Sequence, residues 1–451
     1  MKQVANKRLL EAFWMPFTAN RYFKANPHLY MLSSAKGMYY FTEDGRKILD
    51  ATSGLWCSSL GHCHPKITDA ICKQANTLDY APTFQMGHPK AFEFADRIIE
   101  DLVPKSSQLK HVFFTSSGSS AVDSALKICL AYHYAKGEGN RSRFVGRELG
   151  YHGVGFGGIS VGGLGMNRKA YTSAMFAADH LPHTLNISQN AFTRGMPPSG
   201  GAELAESLLN LITLHSADNI AAVIVEPVAG SAGVIIPPVG YLKRLREICT
   251  QHNLLLIFDE VITGVGRLGT GFGAEFFDVE PDVITCAKGL TNGAVPCGAV
   301  LVRGDIYDTV TSSSGGSGRS SIELFHGYTY SGHPLAMAAG LATLDVLKEE
   351  DVLSNVKRIS PNWEDGLHSL RNCSPLIKDI RNIGLMGAIT FESIPNDLGQ
   401  RAYTFQTNCL KNGLLVRVSG ESIAMSPPLI ANEQEIGQII EILSNVLSQL
   451  K

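Results

Sequence analysis

The chain has 451 residues, 44% of them hydrophobic and 18% charged, with a formal net charge of −2. That length supports two or three domains, and the composition excludes a disordered chain. Near-neutrality gives no electrostatic reason to expect nucleic acid or an anionic membrane as partner. Apolar runs break within about a dozen residues, which leaves no candidate transmembrane helix. The opening MKQVANKRLLEAFWM places Glu11 inside its short apolar run and has no small-residue cleavage site, so no signal peptide is expected. Nine cysteines, spread from Cys57 to Cys409 without a CxxC pair, fit reduced thiols and a cytoplasmic protein. His62, Cys63 and His64 stand too close together to ligate one metal, and no metal site is expected.

In chain order, MYYFTEDGRKILDAT (38–52) predicts two strands around a Glu43-Asp44-Gly45 turn, hence a small hairpin in the N-terminal segment. In HPKITDAICKQANTL, Pro65 opens a helix with Ile67, Ile71, Ala75 and Leu78 on one face. Short apolar runs then alternate with amphipathic stretches. HVFFT (111–115) precedes AVDSALKICLAYHYA, and AELAESLLNLITLH precedes IAAVIVEPV (220–228). YLKRLREICTQHN leads into LLLIFDEV (254–261), and DVITCA follows. This alternation predicts parallel strands covered on both faces, a doubly wound α/β domain. SSSGGSGRSS (312–321) reads as a mobile loop. Beyond it, PLAMAAGLATLDVLKEE predicts a helix bridging into a smaller α+β region that ends in EQEIGQIIEILSNVLSQL. The expected division is 1–59 as a segment packing with the small domain, 60–330 as the large α/β domain and 331–451 as the small α+β domain.

Ligands of open α/β sheets bind beyond the carboxyl ends of the strands. Three predicted strands end in charge: IAAVIV at Glu226, LLLIF at Asp259 and DVITCA at Lys288. Separations of about 30 residues correspond to one crossover unit each, so the three ends can lie side by side. One reading is a buried Asp259–Lys288 ion pair, although such pairs add little net stability. The other is chemical. Lys288 as a Schiff-base lysine and Asp259 facing a pyridine nitrogen is the pairing that pyridoxal phosphate (PLP) requires.

A phosphorylated cofactor also needs an anion site. FFTSSGSSAVDSALK supplies a strand, a serine- and glycine-rich turn and a helix start, whose N–H groups and hydroxyls can cradle phosphate. Alone, the same stretch is an ordinary serine-rich helix cap. GVGFGG (153–158) and GVGRLG (264–269) both match GxGxxG, but with 45 glycines in the chain such matches carry little weight. The second follows a strand, yet Glu260-Val261-Ile262-Thr263 intervenes and TGFG opens a helix poorly. A nicotinamide dinucleotide enzyme is the alternative from a different cofactor class. Arg417 interrupts the apolar LLVRV, and a guanidinium there needs a carboxylate, from an internal salt bridge or from a ligand.

Together, SSGSS, Tyr151-His152-Gly153, IVEP, FDEV, AKG and HGYTYSGHP resemble the class III (fold-type I) PLP-dependent aminotransferases. WMPFT, GLWCSSLGHCHP, GYHGVGFGGISVGG and VSGESIAMSPPL match one branch, the omega-amino acid or beta-alanine:pyruvate aminotransferases. The motifs run in the family's order over nearly the whole chain. The resemblance implies a large doubly wound, mostly parallel sheet domain beside a smaller α+β domain. It implies that Lys288 carries the cofactor and moves the proton, and that Asp259 pairs with the pyridinium nitrogen. Tyr151 would stack on one ring face and Val261 pack on the other, while Ser117, Gly118 and Ser119 hold the phosphate. Thr329 would reach that phosphate from a neighbouring subunit, which implies a homodimer, or a dimer of dimers, with sites at the interface. Arg417 would bind the carboxylate of pyruvate or alanine. Glu226 would answer that arginine or hydrogen-bond around the cofactor. Trp56, Phe84, Tyr151 and Ala229 match pocket-lining positions.

The chain departs from the family's SGSE, reading Ser117-Gly118-Ser119-Ser120, which leaves the helix start without its usual carboxylate. The glycine- and serine-rich GGSGRSSIEL before HGYT also makes the loop delivering Thr329 an expected mobile element in the absence of cofactor. The resulting reading is amino transfer from an omega-amino acid or primary amine to pyruvate in two half-reactions. Another PLP enzyme on the same fold, such as an aminomutase or an aminotransferase with a different donor and acceptor, is the alternative, because fold does not fix the reaction.

Overall fold

The structure is a computed structural model that describes residues 10–450 except 199, 314 and 317, so the start of MKQVANKRL and two positions of the predicted 312–321 loop lie outside it. Three sheets organise the described residues. The first holds β1 (Leu32–Lys36), β2 (Tyr39–Thr42) and β3 (Lys47–Asp50), an antiparallel meander that contains the predicted hairpin and one further strand. Gly45 turns it at φ 85°, with its N–H donated to the Thr42 carbonyl at 3.0 Å. The predicted helix after Pro65 runs Pro65–Ala75 and buries Ile67, but it ends before Leu78, which is exposed.

The central sheet comprises β4 (Leu109–Thr115), β5 (Arg143–Arg147), β6 (Ala178–Leu181), β7 (Ile220–Val225), β8 (Leu255–Asp259), β9 (Val283–Cys286) and β10 (Gly298–Arg303). Their order is β4-β10-β9-β8-β7-β5-β6. Strands β5 to β9 pair in parallel, whereas β10 runs antiparallel to both β9 and β4. The chain between β9 and β10 is too short for a crossover helix, so GAVLVR turns back beside the strand it follows. Every residue of β7, β8 and β9 is buried, which is why they read as continuous apolar runs. Successive residues face opposite layers. Ala222 and Ile224 pack with Val122, Ala125 and Cys129 of the Gly118–Ala135 helix. Val223 and Val225 belong to the opposite core, with Leu245 and Ile248 of the Tyr241–Gln251 helix.

The third sheet takes β11 (Ile377–Ile383), β12 (Met386–Phe391), β14 (Arg417–Ser419) and β15 (Ser422–Met425), all antiparallel, with β13 (Leu414–Leu415) set apart. The short β13 pairs in parallel with β3, so the C-terminal chain completes the N-terminal sheet. The predicted helices Pro334–Glu349 and Glu433–Ser448 both form. No described helix is long and apolar enough to cross a membrane.

Candidate active site

Because β7, β8 and β9 are neighbours, their carboxyl ends deliver Glu226, Asp259 and Lys288 to one cavity of about 290 Å³. Its walls include eight of the expected residues: Ser117, Gly118, Ser119, Tyr151, Glu226, Asp259, Val261 and Lys288. A larger cavity of about 770 Å³, between Leu126 and Leu130 on one side and Phe144, Phe156 and Phe176 on the other, holds none of these eight.

Lys288 sits just past β9 with φ 45°, in the left-handed region that a non-glycine residue occupies only where its surroundings hold it. The hold comes from Asn292. Its side chain accepts the Leu60 N–H at 2.7 Å and donates to the Gly61 carbonyl at 2.8 Å, tying the turn to the N-terminal segment. The lysine amine has no ion-pair or hydrogen-bond partner among the described residues. Burial pushes its pKa down to about 8, against the nearby charges of Asp259 and Glu226 and with that of Arg417. The simple Asp259–Lys288 ion pair is therefore not what fills this site.

Asp259 is engaged from behind. Its Oδ2 lies 2.8 Å from His152 Nδ1, and its Oδ1 accepts the Val261 N–H at 3.2 Å. His152 is fully buried and its Nε2 has no partner among the described residues. A proton on Nδ1 meets the Asp259 carboxylate, whereas one on Nε2 would be a buried donor without an acceptor among the described residues. Nothing in the motif Tyr151-His152-Gly153 gives His152 this role from sequence alone.

The Glu226 carboxylate accepts the N–H groups of Tyr151 at 2.9 Å and Gly230 at 3.2 Å, and burial pushes its pKa up to about 7. It holds the Tyr151 backbone and makes no ion pair with Arg417. At the helix start, Ser117 Oγ accepts the Ser120 N–H at 3.2 Å while Ser120 Oγ accepts the Ser117 N–H at 2.9 Å. Ser120 thus closes a capping box with a hydroxyl where the family uses a carboxylate. A side chain at Gly118 would put its Cβ 3.0 Å from a Val261 methyl, which keeps this turn and the far wall close.

Arg417 opens β14, is half-buried, and has no ion pair or hydrogen bond among the described residues. Burial lowers its pKa, with Tyr151 and Tyr403 opposing, and its charge is felt at Lys288. The internal salt bridge does not form. Trp56 is buried at φ 65° with its Nε1 unpartnered, and Ala229 is buried in a bridge to Ile235. Neither these two nor Arg417 are among the walls of the 290 Å³ cavity. Phe84 and Thr329 are exposed, on segments joined by Tyr80 Oη donating to the Thr329 carbonyl at 3.2 Å and Thr83 Oγ1 to that of Ser331 at 2.8 Å.

The remaining motifs have structural uses. His62 pairs with Asp50 at 2.8 Å and His64 with Glu350 at 3.0 Å. GVGRLG opens no long helix; it carries the buried Arg267, which donates to the Pro427 carbonyl at 2.6 Å and to Ser53 Oγ at 3.1 Å.

Comparison with known proteins agrees with this architecture. Residues 22–447 match the family described as aminotransferase class-III. An omega-aminotransferase of Caulobacter vibrioides is 54% identical over 441 residues, covering 98% of each chain. A beta-alanine–pyruvate aminotransferase of Pseudomonas aeruginosa is 46% identical, covering 99% of this chain and 97% of that one. Among solved structures, an amine transaminase from an uncultivated Pseudomonas species in its PLP-bound form superposes with a TM-score of 0.87 at 33% identity, over 97% of this chain and 99% of that one. The chain belongs to the class-III aminotransferase family. It is a PLP-dependent aminotransferase of the fold-type I architecture, and the dinucleotide alternative falls away.

Proposed function

We propose that the enzyme transfers an amino group from beta-alanine-like omega-amino acids or apolar primary amines to pyruvate. The observation that carries this reading is Arg417, a half-buried guanidinium without a partner among the described residues whose charge reaches Lys288 and Tyr151. A substrate carboxylate is the group such a cation lacks, and a bidentate pair would orient a small keto acid. Relatives named for omega-amino acids, beta-alanine and pyruvate support the same choice.

The residues of the 290 Å³ cavity fit PLP. Lys288 offers an unpartnered amine for its aldehyde, Asp259 a fixed carboxylate for its ring nitrogen, and Ser117, Gly118 and Ser119 a capped helix start for its phosphate. When bound, the cofactor supplies an electron sink for charge developing on the substrate carbon. Lys288 Nζ is the base that takes the proton from the substrate carbon bearing nitrogen and the acid that returns it. Tyr151 and Val261 would flank the ring, and His152 keeps Asp259 oriented. Glu226 fixes Tyr151 through its backbone N–H. Trp56, Phe84 and Ala229 border the substrate. Thr329 would complete the phosphate site of a second subunit in a homodimer or dimer of dimers.

The test is alanine formation from pyruvate by the purified enzyme, with beta-alanine and then with arylalkyl amines as donor. Net alanine supports the assignment and separates it from an aminomutase. No alanine from any such donor would overturn it.

A further inference from the structure

The glycine-rich GVGFGG at residues 153–158 opens no nucleotide site; its backbone is laid over two side chains of the Gly118–Ala135 helix. Ser119 and Asp123 stand one turn apart on that helix and so share a face. Ser119 Oγ accepts the Val154 N–H at 3.1 Å, and Asp123 Oδ1 accepts the Gly158 N–H at 2.9 Å. The contact is too close for a side chain at Gly153, Gly155 or Gly157. A Cβ at Gly153 would lie 2.5 Å from Ser119 Oγ, one at Gly155 2.0 Å from Asp123 Oδ2, and one at Gly157 2.5 Å from Asp123 Oδ1.

The short helix Phe156–Val161 begins at Gly155, which has no side chain to cap it. Asp123 supplies the missing acceptor from the neighbouring helix, with its negative charge at the positive end. Burial raises the Asp123 carboxyl, while the Gly158 N–H and Lys127 oppose that rise. Asp123 does not line the cofactor cavity; it lies on the wall of the larger one.

We infer that Asp123 is a positioning residue for the reaction: it locks the segment carrying Tyr151 and His152 onto the helix whose first turn holds the phosphate. The inference rests on the site reading above. Tyr151 limits one ring face and His152 holds Asp259, and both enter the loop that Asp123 closes. Ser119 lies four residues earlier on the same helix. The spacing between phosphate anchor and ring is thereby fixed by a contact outside the cavity.

The experiment titrates PLP into apoprotein of the wild type, Asp123→Ala and Asp123→Asn, following the cofactor absorption band, with steady-state kinetics on beta-alanine and pyruvate. Asp123→Ala should bind PLP about tenfold more weakly and lose kcat, because one hydrogen bond to a charged group is removed. The KM for pyruvate should stay within about twofold, since Arg417 is untouched. Asp123→Asn keeps an oxygen acceptor and should recover most of the affinity. A merely structural role would lower Tm in both variants without moving the PLP Kd of the folded protein. A folded Asp123→Ala protein with wild-type Kd and spectrum overturns the inference. Should Asp123→Ala fail to fold, Gly157→Ala strains the same contact from the loop side, and unchanged PLP affinity there overturns it equally. Wild-type protein that takes up no cofactor overturns the site reading and this inference together, whereas normal wild-type binding with unaffected variants overturns this inference alone.

Discussion

At the scale of single residues, Lys288 decides the chemistry on the proposed reading. Its pKa falls from 10.5 to about 8 on folding, so the native state releases the proton first. The unfavourable burial of the ammonium is therefore fully present below pH 8 and disappears by about pH 10.5. Two outcomes are expected. Capture of PLP by apoprotein should accelerate with rising pH and level off above about 8, read by stopped-flow absorbance. Lys288→Met should abolish amino transfer yet raise the apoprotein Tm at pH 7 by a few degrees, with the gain shrinking toward pH 10. A variant whose Tm falls at pH 7 would contradict the assigned desolvation. Arg417→Ala should raise the KM for pyruvate about a hundredfold while sparing the half-reaction with an apolar amine. Lys288, Asp259 and Glu226 were legible because a charge ending an apolar run is a signal along one dimension. The role of His152 was not, since its bond to Asp259 joins residues 107 positions apart and nothing in Tyr151-His152-Gly153 says where the ring points.

At the scale of elements, the departure at Ser120 resolves into a working cap. A hydroxyl reaches the Ser117 N–H as a carboxylate would, leaving the first turn hydrogen-bonded without adding negative charge beside a phosphate site. Ser120→Ala should cost about 1 kcal/mol and lower Tm correspondingly, measured by thermal unfolding of the apoprotein. An unchanged Tm would mean that the capping box contributes nothing. The parallel strands around the site could be read from their apolar runs, but the antiparallel GAVLVR could not. Its reversal depends on a connection too short for a helix, and that becomes visible only once the turn at Lys288 is placed. Leu78 failed for a similar reason, because its helical spacing from Ile67 continues past the point where the helix stops.

At the scale of the whole molecule, the surface around the Thr329 segment is apolar and open. Phe325 is 85% exposed and Met86 70%, close in sequence to the exposed Phe84, Tyr330 and Thr329. Apolar surface of that kind calls for a covering partner, and we propose a second copy, with the division at about residues 59 and 330 as the frame for the interface. Sedimentation should give about twice 48.7 kDa or a multiple of that dimer, and Phe325→Glu should shift it toward monomer with loss of PLP retention. A fully active monomer would remove Thr329 from the site. Expected mobility in the 312–321 loop stays a prediction for hydrogen exchange with and without cofactor. The pairing of β13 with β3 carries a consequence for biosynthesis. The N-terminal strands emerge from the ribosome first, yet their partners come last: Ser426 donates to the Thr52 carbonyl across 374 positions. At ordinary translation rates of about 5–20 residues per second, the nascent hairpin waits roughly 20 to 70 seconds with an open edge. A strand made late in synthesis, β13, is thus the one that ends the exposure of β3, and a transcript truncated before Leu414 would release a chain that can never cover that edge.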